Sequence, residues 1–213
     1  MSWLSFLRKT DAEASPEPER LDVPLFPLGT VLMPDGLLSL KVFEQRYLDM
    51  AAACMRSNSP FGVCLIESGK EVGEVAIPHR VGTLAHIESG DMPQLGILML
   101  KLRGGRRFRI VSHSAQASGL LTAQVELFAQ AESTPLPAEH QGVLPLLRRV
   151  IAELGPEKVA LPHHFGDASW VGYRLIEILP VQPLAKQKLL ELDDPISRLE
   201  IIHTYLAQHH LVQ

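Results

Sequence analysis

Apolar and polar residues follow two different patterns along this chain. Between residue 21 and about residue 130, short apolar runs of strand length are interrupted by glycine, proline, serine and aspartate. Beyond that point apolar residues recur every three or four positions, which is the spacing of helices that bury one face. The pattern therefore predicts an α+β chain with a flexible tail over residues 1–20, a β-rich domain over 21–132 and a helical subdomain over 133–213.

The β-rich domain is predicted to contain six or seven short strands and one helix. The first two strands are "DVPLFPL" and "GLLSLKV", with residues 33–36 as the turn between them. The helix is "EQRYLDMAAACMRS", whose buried face is expected to carry Tyr47, Met50 or Ala51, and Cys54. A closed or nearly closed small β-barrel accommodates these strands because it leaves few exposed edges.

The helical subdomain is predicted to contain four helices, which begin near residues 138, 168, 183 and 195. The clearest helix start is Asp193-Asp194 followed by Pro195, an N-cap residue ahead of a proline in the first turn. The expected buried stripes are Val143, Leu146 or Leu147, Val150 and Leu154 in the first of these helices, and Ile196, Leu199, Ile202 and Leu206 in the last.

Positive charge is concentrated in one segment, "KLRGGRRFRIV", over residues 101–111. The net charge of the chain is −4, yet residues 92–125 hold five basic and no acidic side chains. We expect Gly104-Gly105 to form a hairpin turn, with Phe108 and Ile110 pointing into the core. The candidate binding residues are then the arginines of the segment, Arg103, Arg106, Arg107 and Arg109.

These arginines have two possible roles, a contact for phosphate or acidic peptide, or a solvated strand face paired with acidic neighbours. Single-stranded nucleic acid usually meets several stacking aromatic side chains, and this segment holds one, which is predicted to point inward. The acidic total charge also disfavours a nucleic-acid partner.

Several common catalytic motifs are missing from the sequence. It contains no phosphate-binding Gly-x-x-x-x-Gly-Lys-Ser/Thr loop, no Gly-x-Ser-x-Gly elbow and no His-Glu-x-x-His pair. Cys54 and Cys64 lie among apolar residues and are expected to be buried thiols. His163-His164 is interpreted as part of a solvated or capping loop in preference to a metal site. The sequence therefore predicts no enzyme, no cofactor and no metal.

A second candidate region lies around the start of the predicted helix at residue 168. Phe165, Trp170 and Tyr173 could line a small-molecule pocket together with Asp167. The favoured alternative is that Asp167 caps the helix while the aromatic side chains pack against neighbouring helices.

The first ten residues, "MSWLSFLRKT", do not have the pattern of a signal peptide. Their apolar run is short, and the basic pair follows it instead of preceding it. Trp3, Leu4, Phe6 and Leu7 could dock on a partner, but a frayed tail is favoured because "EASPEPER" follows. No stretch approaches the roughly 20 apolar residues of a membrane-spanning helix, and we expect a cytoplasmic protein.

Three stretches of the sequence belong together by their order and spacing: "LDVPLFPLGTVLMPDGLLSLKVFEQRYLDM", "VGTLAHI" and "RGGRRFRIV". In this order and spacing they resemble the N-terminal, substrate-binding domain of Lon proteases. The matching positions include Pro27, Leu28, Pro34, Gly36, Phe43, Glu44, Arg46, Tyr47, Gly82, Thr83, Gly104, Arg107 and Phe108. The resemblance implies that most of these residues are structural.

The resemblance also implies a fold and a function. The expected fold is a PUA-like β-barrel with one helix, followed by a C-terminal α-helical bundle. The expected function is that of a non-catalytic protein- or peptide-binding module, such as an adaptor in protein quality control, because the ATPase and Ser-Lys peptidase motifs of Lon proteases are missing. Its partners would be unfolded or tagged polypeptides or another protein; the oligomeric state is left open. The alternatives are an RNA-binding PUA-like protein, and a small-ligand-binding protein or unrecognised enzyme.

Overall fold

A computed structural model describes residues 18–73, 75–129 and 132–212 of the chain. Its first part contains β1 (Arg20–Leu28), β2 (Leu37–Val42), α1 (Gln45–Ser57), β3 (Phe61–Ser68), β4 (Ile77–Gln94), β5 (Ile97–Ala115) and β6 (Leu121–Leu127). A 3-10 helix (Ala138–Val143) follows, and then α2 (Leu144–Leu154), α3 (Ala168–Ile178), α4 (Pro183–Glu191) and α5 (Pro195–Gln208). The predicted change from strands to helices is confirmed. The predicted tail residues Trp3, Leu4, Phe6 and Leu7 lie outside the described residues.

The six strands form one sheet that closes on itself. Its order is β2-β5-β4-β3-β1-β6, and β5 also pairs with β6. β1 runs parallel to β3, whereas the other pairs are antiparallel. β5 makes the closure possible because it is long: Leu98–Arg103 pairs with β2, and Phe108–Ala115 pairs with β6. β1 and β2 are joined by the predicted turn at residues 33–36 but do not pair with each other.

Helix α1 packs one face into the barrel, as its sequence predicted. Tyr47, Met50, Ala51 and Cys54 are buried on this face. The ring of Tyr47 stacks on that of Phe26 in β1, with 3.8 Å between the ring centroids. Cys54 and the Cys64 thiol of β3 are both free and buried, and burial raises the pKa of each.

Helix α3 is the centre of the helical part. It is buried along most of its length, and it contacts α2, α4 and α5. Both predicted N-caps are confirmed, since the Asp167 carboxylate accepts from Trp170 N and the Asp194 carboxylate from Ser197 N, each at 2.7 Å. Met33 and Val81 from the barrel belong to the same buried cluster as the helices, so the two parts share a core.

The predicted stripe of the first long helix is partly wrong. Leu154 is 43% exposed and Val150 is only partly buried, whereas Ile151 is buried together with Val143 and Leu147. The α-helix starts at Leu144, after a 3-10 turn with a different number of residues per turn. The buried face therefore continues one position away from the predicted one.

The predicted hairpin turn at Gly104-Gly105 is wrong. Both glycines lie inside β5, and the β4–β5 turn is at residues 95–96, where Gly96 has a φ of 80°. Gly104 is needed for a close approach instead, because a Cβ there would lie 2.0 Å from the carbonyl oxygen of Met33. Phe108 and Ile110 point into the core as predicted.

Candidate functional site

A cleft of about 490 Å³ lies where the barrel meets the helices, and we call it the seam cleft. It is lined by Pro34, Asp35, Gly105, Arg106, Arg107, Phe128, Ala129, Glu132, Ser133, His164, Asp167, Ser169, Trp170, Tyr173 and Asp193. The cleft brings together two regions that the sequence presented separately, the arginines of β5 and the residues around the start of α3. One wall is therefore strand and the other is helix.

The turn at residues 33–36 forms part of the barrel wall. Gly36 N donates to Met33 O at 3.0 Å, which closes the turn, and Asp35 has a left-handed φ of 58°. Two backbone hydrogen bonds of 2.8 Å fasten the turn to β5, from Asp35 N to Gly104 O and from Gly104 N to Gly36 O. The glycine in β5 lets the turn lie this close to the strand.

Helix α3 holds the same turn from the other side through Arg174. This arginine is 2% exposed and donates to Pro34 O at 2.5 Å. Its Nε lies 3.0 Å from Oε2 of Glu177, an ion-pair contact whose angle does not make a hydrogen bond. Glu177 lies directly over Gly36, where a Cβ would be 2.1 Å from Oε1. Burial raises the pKa of Glu177 to about 7, against the opposing attraction of the Arg174 guanidinium.

Arg107 joins the barrel to the end of α4. Its Nη1 donates to Leu190 O at 2.6 Å and to Leu192 O at 3.0 Å, and its Nη2 lies 2.9 Å from the Asp193 carboxylate. Helix ends leave carbonyl groups without helical partners, and arginine side chains can satisfy them. The side chain of Arg107 is 11% exposed, and its hydrogen bonds join the end of α4 to β5.

Arg198 in α5 completes this arrangement. It donates to Leu189 O at 3.1 Å and also to Leu192 O, while its guanidinium stacks over the Tyr173 ring at 4.2 Å. Two arginines from different parts of the fold thus share the carbonyl groups at one helix end.

The other three candidate arginines lie in different surroundings. Arg106 lines the seam cleft and pairs with Glu19 at 2.5 Å, whereas Arg103 pairs with Glu88 at 2.5 Å. Arg103 lines a separate cavity of about 240 Å³ between β2, β5 and residues 156–161. Arg109 is exposed beside the Phe128 ring. The four arginines therefore do not form a single surface, and three of them have carboxylate neighbours.

The residues around the start of α3 have a structural role as well as a place in the cleft. Asp167 accepts from Trp170 N through one carboxylate oxygen and from the Ser133 hydroxyl through the other, each at 2.7 Å. Trp170 and Tyr173 are 5% and 6% exposed. The His163 and His164 rings pack against the Trp170 ring. The favoured interpretation, a capping aspartate with packed aromatic side chains, agrees with this geometry.

The charge of the cleft is mainly negative. Four carboxylates line it, Asp35, Glu132, Asp167 and Asp193, against two arginines. Asp167 is used in the helix cap and Asp193 is paired with Arg107. Asp35 and Glu132 are exposed, and within the described residues neither makes an ion pair. These two side chains give the cleft an acidic rim.

Metal and membrane features can be judged for residues 18–73, 75–129 and 132–212. In these ranges no three histidine, cysteine, aspartate or glutamate side chains come together as a metal site. No helix in the same ranges has the length and apolar character needed to cross a bilayer.

The motif positions found in the sequence mainly make internal contacts. Thr83 donates from its buried hydroxyl to Leu32 O at 2.7 Å, and Arg46 contacts Glu44 at 2.9 Å. Pro27, Leu28, Tyr47, Gly82 and Phe108 are buried. Phe43 differs from the rest because it is 50% exposed.

Sequence reasoning missed several lining residues, among them Phe128, Ser133 and Asp193. They come from distant parts of the chain and share no motif. One signal was available: Arg174 is the only charged residue between Ala168 and Ile176, an apolar stretch, and such an arginine must find partners in the core. Its partner proved to be the turn at the edge of the cleft.

Comparison with solved structures supports the fold. A Lon N-terminal domain protein from Xanthomonas campestris is similar at a TM-score of 0.73 and 36% identity, over 87% of this chain and 98% of that one. The N-terminal domain of a Lon protease from the Mycobacterium avium complex has the same fold, at a TM-score of 0.65 and 20% identity. That match covers 89% of this chain and 100% of that one.

Sequence comparison identifies the family. Lon protease 2 of Herpetosiphon aurantiacus is 28% identical over 198 residues, which are 88% of this chain and 24% of that protein, so the chain spans about a quarter of its relative. Residues 22–208 match the family described as the ATP-dependent protease La (LON) substrate-binding domain. This match extends over most of the chain and agrees with the motif resemblance, and the chain therefore belongs to the LON substrate-binding domain family.

Proposed function

We propose that this chain is a non-catalytic binding module for polypeptide segments, and that the seam cleft holds part of the bound segment. The observation that carries the proposal is the position of the cleft, between barrel and helices, in a chain of a substrate-binding family. In the same proposal the barrel is of the PUA-like type and the helices form a bundle after about residue 132. The protein would act in the cytoplasm as an adaptor in protein quality control.

The dimensions and chemistry of the cleft suit a polypeptide side chain or two. Ligand sites commonly have volumes of roughly 300–1,000 Å³, with apolar walls and a few polar groups that fix orientation. The seam cleft has a volume of about 490 Å³, and the aromatic residues Phe128 and Trp170 are part of its lining. The exposed carboxylates of Asp35 and Glu132 supply the polar rim.

RNA binding stays the less favoured prediction. Phosphate contacts need accessible cations, whereas Arg103, Arg106 and Arg107 each have a carboxylate within 3 Å. Small-ligand binding would use the same cleft as polypeptide binding, and the experiment below separates the two.

The experiment measures binding of a fluorescein-labelled unfolded protein, reduced and alkylated lactalbumin, by fluorescence anisotropy. A Ser133→Trp variant fills the cleft from its rim, and we expect it to weaken binding by roughly tenfold. Ser112→Trp places the same side chain on an exposed part of β5 outside the cleft and serves as the matched control.

Two results would overturn the proposal. One is that the unfolded probe binds no better than the folded, unreduced protein. The other is that Ser133→Trp and Ser112→Trp bind the probe equally well. Small-ligand binding is tested by a thermal-shift screen of metabolites. If a metabolite stabilises the wild-type protein but not the Ser133→Trp variant, the cleft is a small-molecule site.

A further inference from the structure

The described chain enters the fold at the edge of the seam cleft. Glu19 lies just before β1, and its carbonyl oxygen accepts from Leu127 N at 2.9 Å. Its carboxylate pairs at 2.5 Å with Arg106, which lines the cleft. Glu19, to which the preceding residues are covalently joined, therefore lies beside the cleft.

The sequence of these residues has a sharp division. Residues 3–9, "WLSFLRK", hold four large apolar side chains followed by two basic ones, and we call them the N-terminal segment. Residues 10–17, "TDAEASPE", contain no aromatic or large aliphatic side chain. The N-terminal segment is thus joined to Glu19 by a polar connection.

The connection is long enough for the N-terminal segment to reach the cleft. An extended residue spans roughly 3.3 Å, so the ten steps between Lys9 and Glu19 span up to roughly 33 Å. Because Glu19 already touches a lining residue, every wall of the cleft is within reach. Such a tether gives an effective local concentration in the millimolar range.

The chemistry of the N-terminal segment is complementary to that of the cleft. Arg8 and Lys9 carry the charge that suits the exposed carboxylates of Asp35 and Glu132, which make no ion pair with another described residue. The large apolar side chains can contact the partly exposed ring of Phe128. Apolar residues followed by a basic pair therefore fit a partly aromatic cleft with an acidic rim.

We propose that the N-terminal segment docks in the seam cleft of its own chain and competes there with other polypeptides. The competition rests on the proposed function, whereas the docking does not. A tethered occupant lowers the apparent affinity for other ligands by the fraction of time that the site is free. If the segment fills the cleft nine tenths of the time, removing its anchors should tighten probe binding roughly tenfold.

The competition is tested in the full chain with the lactalbumin probe. The double variant Trp3→Ser/Phe6→Ser removes two aromatic anchors and should bind the probe roughly five- to tenfold more tightly than wild type. Ala12→Ser/Ala14→Ser, with two substitutions in the connection, should leave the affinity unchanged. Equal affinities in all three proteins would overturn the competition.

The docking is tested separately by disulfide trapping. Phe6→Cys is combined with Glu132→Cys at the rim of the cleft, in a chain whose own cysteines are buried, and oxidation is followed by mass spectrometry. An intramolecular crosslink should form readily, and much more slowly when Ser112→Cys replaces the rim position. Equal rates at both positions, or crosslinks only between separate chains, would overturn docking within the chain.

The two tests distinguish the inference from the proposed function. If the probe binds through the cleft but no intramolecular crosslink forms, the docking proposal is wrong and the proposed function stands. If the crosslink forms and the probe does not bind, the segment docks and the proposed function is wrong.

Discussion

The arginines of β5 and the arginines of the helices differ in how their charge is used. The β5 arginines are crowded into residues 103–109, and their side chains reach the surface or partly exposed carboxylates. Arg174 and Arg198 are each the only arginine or lysine in their helix, and they are 2% and 1% exposed. Each buried guanidinium donates to a backbone carbonyl group outside its own helix, Arg174 to Pro34 O and Arg198 to Leu189 O. A single arginine in a helix can therefore indicate a contact between elements, whereas a dense basic run mainly indicates a charged surface.

Arg107 shows that a single run can contain both kinds of arginine. It lies between Arg106 and Phe108 in the crowded segment, yet it contacts the carbonyl groups at the end of α4 as the buried Arg198 does. The contacts of Arg107 follow from its position in β5, where its side chain faces the helices.

The largest expected effect comes from Arg198→Met, which keeps much of the side-chain volume and removes the donors. Leu189 O then lacks a partner and the stacking on Tyr173 is lost. We expect the free energy of unfolding to fall by about 3 kcal/mol, since one carbonyl group near the end of α4 is left unpaired and the packing on Tyr173 is lost. Urea denaturation measures this loss, with Arg149→Met on the exposed face of α2 as the control. A loss as small as that of the control would contradict the structural role of Arg198.

A second test separates a close approach from a turn at Gly104. In Gly104→Ala the new methyl group would lie 2.0 Å from Met33 O, and the turn at residues 33–36 must move away from β5. We expect a loss of about 2 kcal/mol by urea denaturation, in the range of overpacked sites. Gly166→Ala adds a methyl group in open space without a left-handed φ, and should be near neutral. Equal stabilities would show that the approach is loose.

The error at Gly104-Gly105 shows which parts of the fold a sequence can predict. The buried face of α1 and the caps at Asp167 and Asp194 were predicted correctly because each depends on residues within one or two turns. From the local sequence alone, two adjacent glycines fit a tight turn as well as they fit a strand that another segment approaches closely. Their actual role depends on Met33, which is distant in sequence, and nothing near the glycines indicates that contact.

The candidate site was predictable only in pieces for the same reason. The sequence singled out Arg106 and Arg107 on one side and Asp167, Trp170 and Tyr173 on the other. That they line one cleft follows from the packing of α3 and α4 against the barrel, which periodicity does not reveal.

Arg107 and Arg109 provide a smaller and more direct test of the comparison. Arg107→Ser removes two hydrogen bonds to carbonyl groups and should cost about 1.5 kcal/mol, because bonds from charged donors are stronger than neutral ones. Arg109→Ser alters an exposed side chain and should change stability by less than about 0.5 kcal/mol. Chemical denaturation of the two variants side by side measures the difference. If Arg109→Ser is the more harmful change, the two arginines have been assigned the wrong roles.

The smallest expected effect is a dependence of stability on pH through Glu177. Burial raises the pKa of this carboxyl to about 7 in the folded protein, while the unfolded chain keeps the ordinary value of 4.5. The folded state therefore binds the proton more strongly, and the stability gained from it is complete below pH 4.5 and lost as the pH rises through about 7.

The size of this effect is limited by solvent. A shift from 4.5 to about 7 would correspond to about 3 kcal/mol. The Glu177 side chain is 25% exposed and lies beside Arg174, so we expect about 1 kcal/mol. Urea denaturation at about pH 5 and about pH 8 should show that wild type loses this much more stability than Glu177→Gln, whose side chain cannot ionise. Glu153→Gln, an exposed change on α2, should follow the wild-type dependence. If Glu177→Gln does so too, the carboxyl is not held in a buried environment, and the contact between α3 and the turn is looser than its geometry indicates.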